Sequence, residues 1–168
     1  SDFFEDPEYI ESYVEVHYES GSAEVDGESV ETYIYVPKTG MQLKEHFALK
    51  ERESGQEVEF NEDSIIMTEK MCELLDVSVG DTVTLINGDG ETAQFTLTGI
   101  IENYIYNYVF MNAGMYEENF ENPLEYNMIL ARLTEDYENE NDVVSEMILE
   151  SDNILLLQFA DTVKVTFE

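Results

Sequence analysis

Between Thr82 and Thr98, apolar and polar residues alternate on both sides of a glycine-rich break. Val83 and Leu85 alternate with Thr82 and Thr84, and Phe95 and Leu97 alternate with Gln94, Thr96 and Thr98. Asn87-Gly88 and Asp89-Gly90 lie between the two runs, and such dipeptides suit turns that need positive φ. A period of two gives each strand one apolar face, which a second layer has to cover. This stretch therefore predicts a β-hairpin with one face in a core.

The same reading extends along the chain. Val14, Val16 and Tyr18 alternate with Glu15 and His17, and Glu31–Pro37 reads as a second strand that Pro37 ends. Gly21 and Asp26–Glu28 supply turn positions between them. Residues 39–50 predict a short helix with Leu43, Phe47 and Leu49 on its apolar face, followed by a turn at Gly55 into another strand. Ile65-Ile66 is a brief strand. Thr68 is placed to cap a helix on which Met71, Leu74 and Leu75 share one face. Ala113–Phe120 predicts a helix, stopped by Pro123, and Glu125–Leu133 a strand. Thr134 would cap a helix buried through Val143, Val144, Met147 and Ile148, and two strands, from Asn153 and from Asp161, close the chain. Strands and helices mix without a repeating unit, which is an α+β layer architecture.

Composition narrows the partners. Seven basic residues face 39 acidic ones, a formal net charge of −32, within a chain that is 43% hydrophobic. The apolar content supports a core, so this is no disordered acidic tail. A polyanion of this size repels nucleic acid and anionic head groups, although screening confines the effect to ~8 Å at physiological salt. Cys72 is the only cysteine, so no internal disulfide forms. The longest apolar runs, such as Ile154–Leu157, are far too short to span a bilayer, and the chain as given is expected to be soluble. It begins at Ser1 without an initiator methionine, which points to a processed or excised fragment.

Chemistry-bearing constellations are sparse. Asn87–Glu91 has the composition of a calcium loop but not its ligand spacing, and a tight hairpin turn accounts for it better. The acids of 135–142 read as a solvated helix face. His17 and His46 stand outside any metal-ligand spacing. Cys72, beside Met71 and Leu74, reads as a structural thiol. No nucleophile elbow, phosphate-binding loop or dinucleotide fingerprint occurs. Neither a cofactor nor a metal is expected. Paired carboxylates meet in space rather than in sequence, so a carboxylate-based hydrolase of extracellular polymers stays open, as does a calcium-stabilised surface adhesion module.

The aromatic stretch Glu102–Asn112 is the remaining candidate. Tyr104, Tyr106, Tyr108 and Phe110 share one parity, and Ile105, Val109 and Met111 the other. It reads either as a strand buried on both faces, with phenol hydroxyls at its edge, or as a surface where Tyr104, Tyr106 and Tyr108 contact a partner.

Four stretches resemble the extracytoplasmic domain of FtsX-like ABC transporter permeases, the MacB type, in its Gram-positive form. They are Tyr33–Lys38 with Leu43–Phe60, Ile65–Leu85 with its Val-Ser-Val-Gly-Asp, Thr96–Met111 with its Glu-Asn-Tyr, and Met115–Leu133 with its Glu-Tyr-Asn. The resemblance implies a two-lobed α+β fold, with residues 1–60 and 102–168 forming a discontinuous lobe and 61–101 an inserted small β-rich lobe. It implies a non-catalytic domain on the extracellular face of the cytoplasmic membrane. Such a domain transmits ATP-driven motion or binds a substrate or partner. The partners implied are the protein's own transmembrane helices, a cytoplasmic ATP-binding subunit and a second permease copy. The acidic charge adds a cationic peptide as a candidate substrate.

Overall fold

The computed structural model describes residues 2–38, 43, 49–102, 106–134, 154–159 and 162–167. Strands dominate them, as the alternating patterns require, and the α+β class holds with few helices. In chain order a 3-10 turn, Asp2–Glu5, precedes strands β1 (Ile10–Val25), β2 (Glu28–Pro37) and β3 (Ile66–Thr68). Helix α1 (Glu69–Leu75) leads to β4 (Thr82–Ile86), β5 (Thr92–Thr96), β6 (Gly99–Ile101) and β7 (Tyr108–Phe110). Helix α2 (Ala113–Asn119), β8 (Met128–Leu133), β9 (Ile154–Phe159) and β10 (Thr162–Phe167) complete the described chain.

The chain divides into two compact units. The first comprises residues 1–16, 40–47 and 126–168. In it the first part of β1 pairs antiparallel with β8, from Ile10 opposite Leu133 to Val16 opposite Met128. β10 pairs with β8 and β9, both antiparallel. Val14, Val16, Met128, Leu130 and Ala131 are buried. Thr134 ties the end of β8 to the start of the chain, its amide donating to Tyr9 O and its hydroxyl to Glu8 O. The helix expected after Thr134 lies outside the described residues.

The second unit comprises residues 17–39 and 48–125. Its strand order is β6-β3-β7-β2, then the second part of β1, while β4 pairs both with β1 and with β5. The β4–β5 hairpin forms as the alternation predicts, with Val83 opposite Phe95. Val83, Leu85, Phe95 and Leu97 are all buried. They join Ala23, Ile34, Val36, Met67, Met71, Val109 and Met111 in one core, which α1 and α2 complete through Leu75 and Tyr116. Each such aliphatic side chain contributes ~1.5–3 kcal/mol on leaving water.

Several expectations need correction. Gly21 is no turn residue: the turn is Asp26-Gly27, with φ of 48° and 83°, and Gly21 lies inside β1. A side chain there would run into the Ile86 carbonyl oxygen, so glycine lets β4 approach. The helix expected at 39–50 lies outside the described residues, apart from the buried Leu43 and Leu49. After Gly55 (φ 68°) the expected strand shrinks to a single bridge, Lys50 opposite Glu57. Thr68 occupies the N-cap position of α1 but makes no capping bond. Its hydroxyl instead accepts the Tyr108 amide at 3.2 Å, a partner forty residues away. On α1, Cys72 takes the buried place expected for Leu74, which is exposed.

Candidate partner-binding surface

β2 and β7 run parallel, with Tyr33 opposite Tyr108, Ile34 opposite Val109 and Tyr35 opposite Phe110. Because side chains alternate across a strand, this register sorts the residues by chemistry. Ile34, Val36, Val109 and Met111 point into the core. Tyr33, Tyr35, Tyr108 and Phe110 form a continuous aromatic stripe on the opposite face, and Tyr18 joins it from β1. Tyr18 stacks on Tyr33 with centroids 5.2 Å apart and meets Tyr35 at 5.3 Å. Tyr35 stands edge-on to Tyr108 at 5.0 Å and stacks on Phe110 at 5.5 Å. These spacings suit aromatic pairs, each worth ~0.5–1.5 kcal/mol beyond burial.

The stripe grades from core to solvent. Phe110, Tyr35 and Tyr108 are buried, Tyr18 and Tyr33 half-buried, and Tyr106 is 54% exposed, edge-on to Tyr33 at 5.7 Å. Of the tyrosines singled out in the sequence, Tyr106 thus lies on the surface and Tyr108 inside, while Tyr104 lies outside the described residues. The strand begins only at Tyr108. The Asn107 side-chain amide, donating to the Glu31 carbonyl at 3.1 Å, pins the entry to β7 against β2. Burial, together with neighbouring phenols, pushes the Tyr18 and Tyr35 hydroxyls well above their ordinary ionisation range, so both stay neutral.

Beside Tyr106 opens a groove of about 520 Å³, lined by Ser20 and Gly21 of β1, Glu31 to Tyr33 of β2, and Tyr106 with Asn107. Thr32, at its floor, is buried, and its hydroxyl contacts the Met71 sulfur at 3.7 Å. Glu31 is exposed and forms no ion pair among the described residues.

A second cluster escaped sequence reasoning altogether. His17 is buried, its Nδ1 donates to the Glu125 carbonyl at 2.8 Å and its Nε2 faces Glu19 Oε2 at 3.0 Å. Glu19 Oε1 accepts the Tyr116 hydroxyl at 2.8 Å. The Asn87 side-chain amide donates to Tyr116 Oη at 3.3 Å and to Glu91 Oε1 at 2.8 Å. Asn87 Oδ1 accepts the amides of Asp89 and Glu91, closing the hairpin turn, and Glu91 accepts the amides of Glu121 and Asn122. Both His17 nitrogens face acceptors, so only the imidazolium completes the network. Burial alone would lower its pKa; the Glu19 hydrogen bond, the Glu125 carbonyl and the two negative charges outweigh burial and raise it. Hydrogen bonds, first from Asn87 and then from the Asn122 amide, hold Glu91 below the usual carboxylate range. The Asn87 and Glu91 side chains of the calcium-loop-like stretch are therefore spent on the turn and on the α2 exit. Nothing in the sequence marks these partners: their side chains converge from positions up to 97 residues apart.

Burial, then the nearby Glu69 and Glu73, pushes the Cys72 thiol up to about 12, so it stays protonated and inert. Val79-Gly80-Asp81 owes its residue types to a turn. Gly80 has φ 99°, the Asp81 carboxylate accepts the Ser78 amide, the Gly80 amide donates to the Leu97 carbonyl, and the Leu97 amide donates to the Asp81 carbonyl. Among the described residues no helix is long and apolar enough to cross a membrane, and no cluster of metal-ligating side chains forms.

No protein-family model and no curated protein matches the sequence. Solved structures do match the fold. The extracellular domain of the noncanonical ABC-type transporter YknZ from Gram-positive bacteria superposes with a TM-score of 0.53 at 12% identity, over 91% of this chain and 80% of that one. The periplasmic region of MacB from Actinobacillus actinomycetemcomitans superposes with a TM-score of 0.55 at 13% identity, over 98% of this chain and 76% of that one. The chain carries the fold of the extracytoplasmic domains of MacB-type ABC transporters, the family its sequence motifs resemble.

Proposed function

We propose that this chain is the non-catalytic extracytoplasmic domain of an ABC transporter permease, held on the outer face of the cytoplasmic membrane. The observation that carries this reading is the likeness of fold over nearly the whole chain to two such domains, joined to the four sequence stretches of the same family. The site geometry agrees with it: the buried polar groups hold structure together, while an aromatic groove is left open to solvent. The domain binds a substrate or partner there and passes on motion driven by a cytoplasmic ATP-binding subunit. In this reading it works beside a second permease copy. Tyr106 is the first contact residue, and Tyr104 and Tyr108 flank it in sequence.

The test is made on the full-length gene product in membranes. Hydrophobic helices are expected to flank this segment, and an ATP-binding subunit to co-purify with an ATPase rate that responds to deletion of the domain. A full-length protein without flanking helices overturns the proposal.

A further inference from the structure

The Tyr106 groove combines three features that point to one kind of occupant. Tyr106 leaves more than half of its surface in water, although it is a large ring at the end of an aromatic stripe. Tyr33 presents a second ring nearly perpendicular to it, at 84°. Glu31, an exposed acidic residue, lines the same groove, and among the described residues no cationic side chain lines it. A cation is attracted both to the negative face of an aromatic ring and to a carboxylate, and a planar guanidinium satisfies both at once. The wider molecule supplies the long-range part, because 39 acidic residues against 7 basic ones draw cations toward the whole surface. At about 520 Å³ the groove holds one long side chain with the backbone beside it, and not a folded domain.

We propose that this groove binds an arginine side chain of an extended cationic peptide, with the guanidinium over the Tyr106 ring and against Glu31. The proposal deepens the permease reading by naming the substrate class, and rests on that reading for its biological meaning. Tyr33, braced by Tyr18 and by the Asn107 bond to β2, is the rigid wall, and Tyr106 is the exposed contact.

The experiment is calorimetric titration of the 168-residue chain with acetyl-GSRGSRGSR-amide, beside the same peptide carrying citrulline in place of arginine. Citrulline keeps the shape and loses the charge. Saturable binding of the arginine peptide is expected, with none by the citrulline peptide. Tyr106→Leu keeps the apolar bulk without the ring face and is expected to weaken binding about fivefold or more, while Tyr106→Phe binds like the parent. Glu31→Gln is expected to lose a similar factor. Glu73→Gln, which removes one exposed charge elsewhere, is expected to change affinity by less than about twofold. Equal losses in Glu31→Gln and Glu73→Gln, full affinity in Tyr106→Leu, or no saturable binding would each overturn the proposal. Failure here with the ATP-binding subunit still co-purifying removes only the peptide site. Peptide binding with no flanking helices in the gene product removes only the permease reading.

Discussion

Two regions of the second unit, both built on β1, use polar and aromatic chemistry in opposite ways. Around His17 and Asn87, buried side chains bond to one another, to Glu19, Glu91 and Tyr116, and to the Glu125 carbonyl. Around Ser20 and Gly21, a few residues further along the same strand, an aromatic ring and a carboxylate stand open to solvent. A buried polar group without a partner costs ~1–3 kcal/mol, so the first cluster must be complete to be tolerated, and its completeness marks it as structural. The second has surface and charge to spare, which is what a binding site needs. A histidine beside a glutamate invites a catalytic reading. Here the geometry shows both engaged in holding β1, the hairpin turn and α2 together.

The contrast can be broken by substitutions. The largest effect is expected at Gly21, where the two regions meet: Gly21→Ala drives a methyl group against the Ile86 carbonyl and loses ~3 kcal/mol in urea unfolding. A loss below about 1 kcal/mol would mean that β4 can step away from β1 at little cost. Asn87→Ala removes the turn-closing acceptor and the donor to Tyr116 and Glu91 together, and ~2–3 kcal/mol is expected. An effect near zero would show that the network is decoration.

The pH dependence probes the same cluster more gently. The folded pKa of His17 lies above its unfolded value near 6.5, so its contribution is fully present below that pH. It fades as pH rises through the folded pKa, and stability is expected to decline as pH climbs above 6.5. His17→Gln should flatten that slope; an unchanged slope would place its origin elsewhere. Glu91 acts in the opposite window, because its lowered pKa gives stability that is lost as pH falls through the folded value. The smallest effect is expected in the open region: Tyr106→Leu should shift stability by less than ~0.5 kcal/mol, since its ring is mostly in water. A large destabilisation would turn Tyr106 into a structural residue and weaken its claim as a contact.

Much of the second unit was legible in advance. The Val83–Leu97 hairpin, the parity of Tyr108 and Phe110, and the buried place of Met71 on its helix follow from periodicities that each element carries by itself. Misreadings arose where a local rule met a distant partner. Gly21 looks like a turn residue because glycine usually marks one, yet here it admits a backbone from residue 86. Thr68 sits where a cap belongs, yet its hydroxyl is taken by Tyr108.

The alternating faces, the turn at Asp26-Gly27, the acidic charge and the family resemblance can be read along the chain, because each depends on neighbouring residues or on sums over all of them. Three-dimensional pairing was needed to show that Tyr18 and Tyr33 complete the aromatic stripe, that Tyr106 is its exposed end, and that Glu31 shares its groove. It alone decided that His17, Glu19, Asn87, Glu91 and Tyr116 form one network. Those groupings depend on which strands lie side by side and in what register, and long-range pairing places residues together that no local spacing connects.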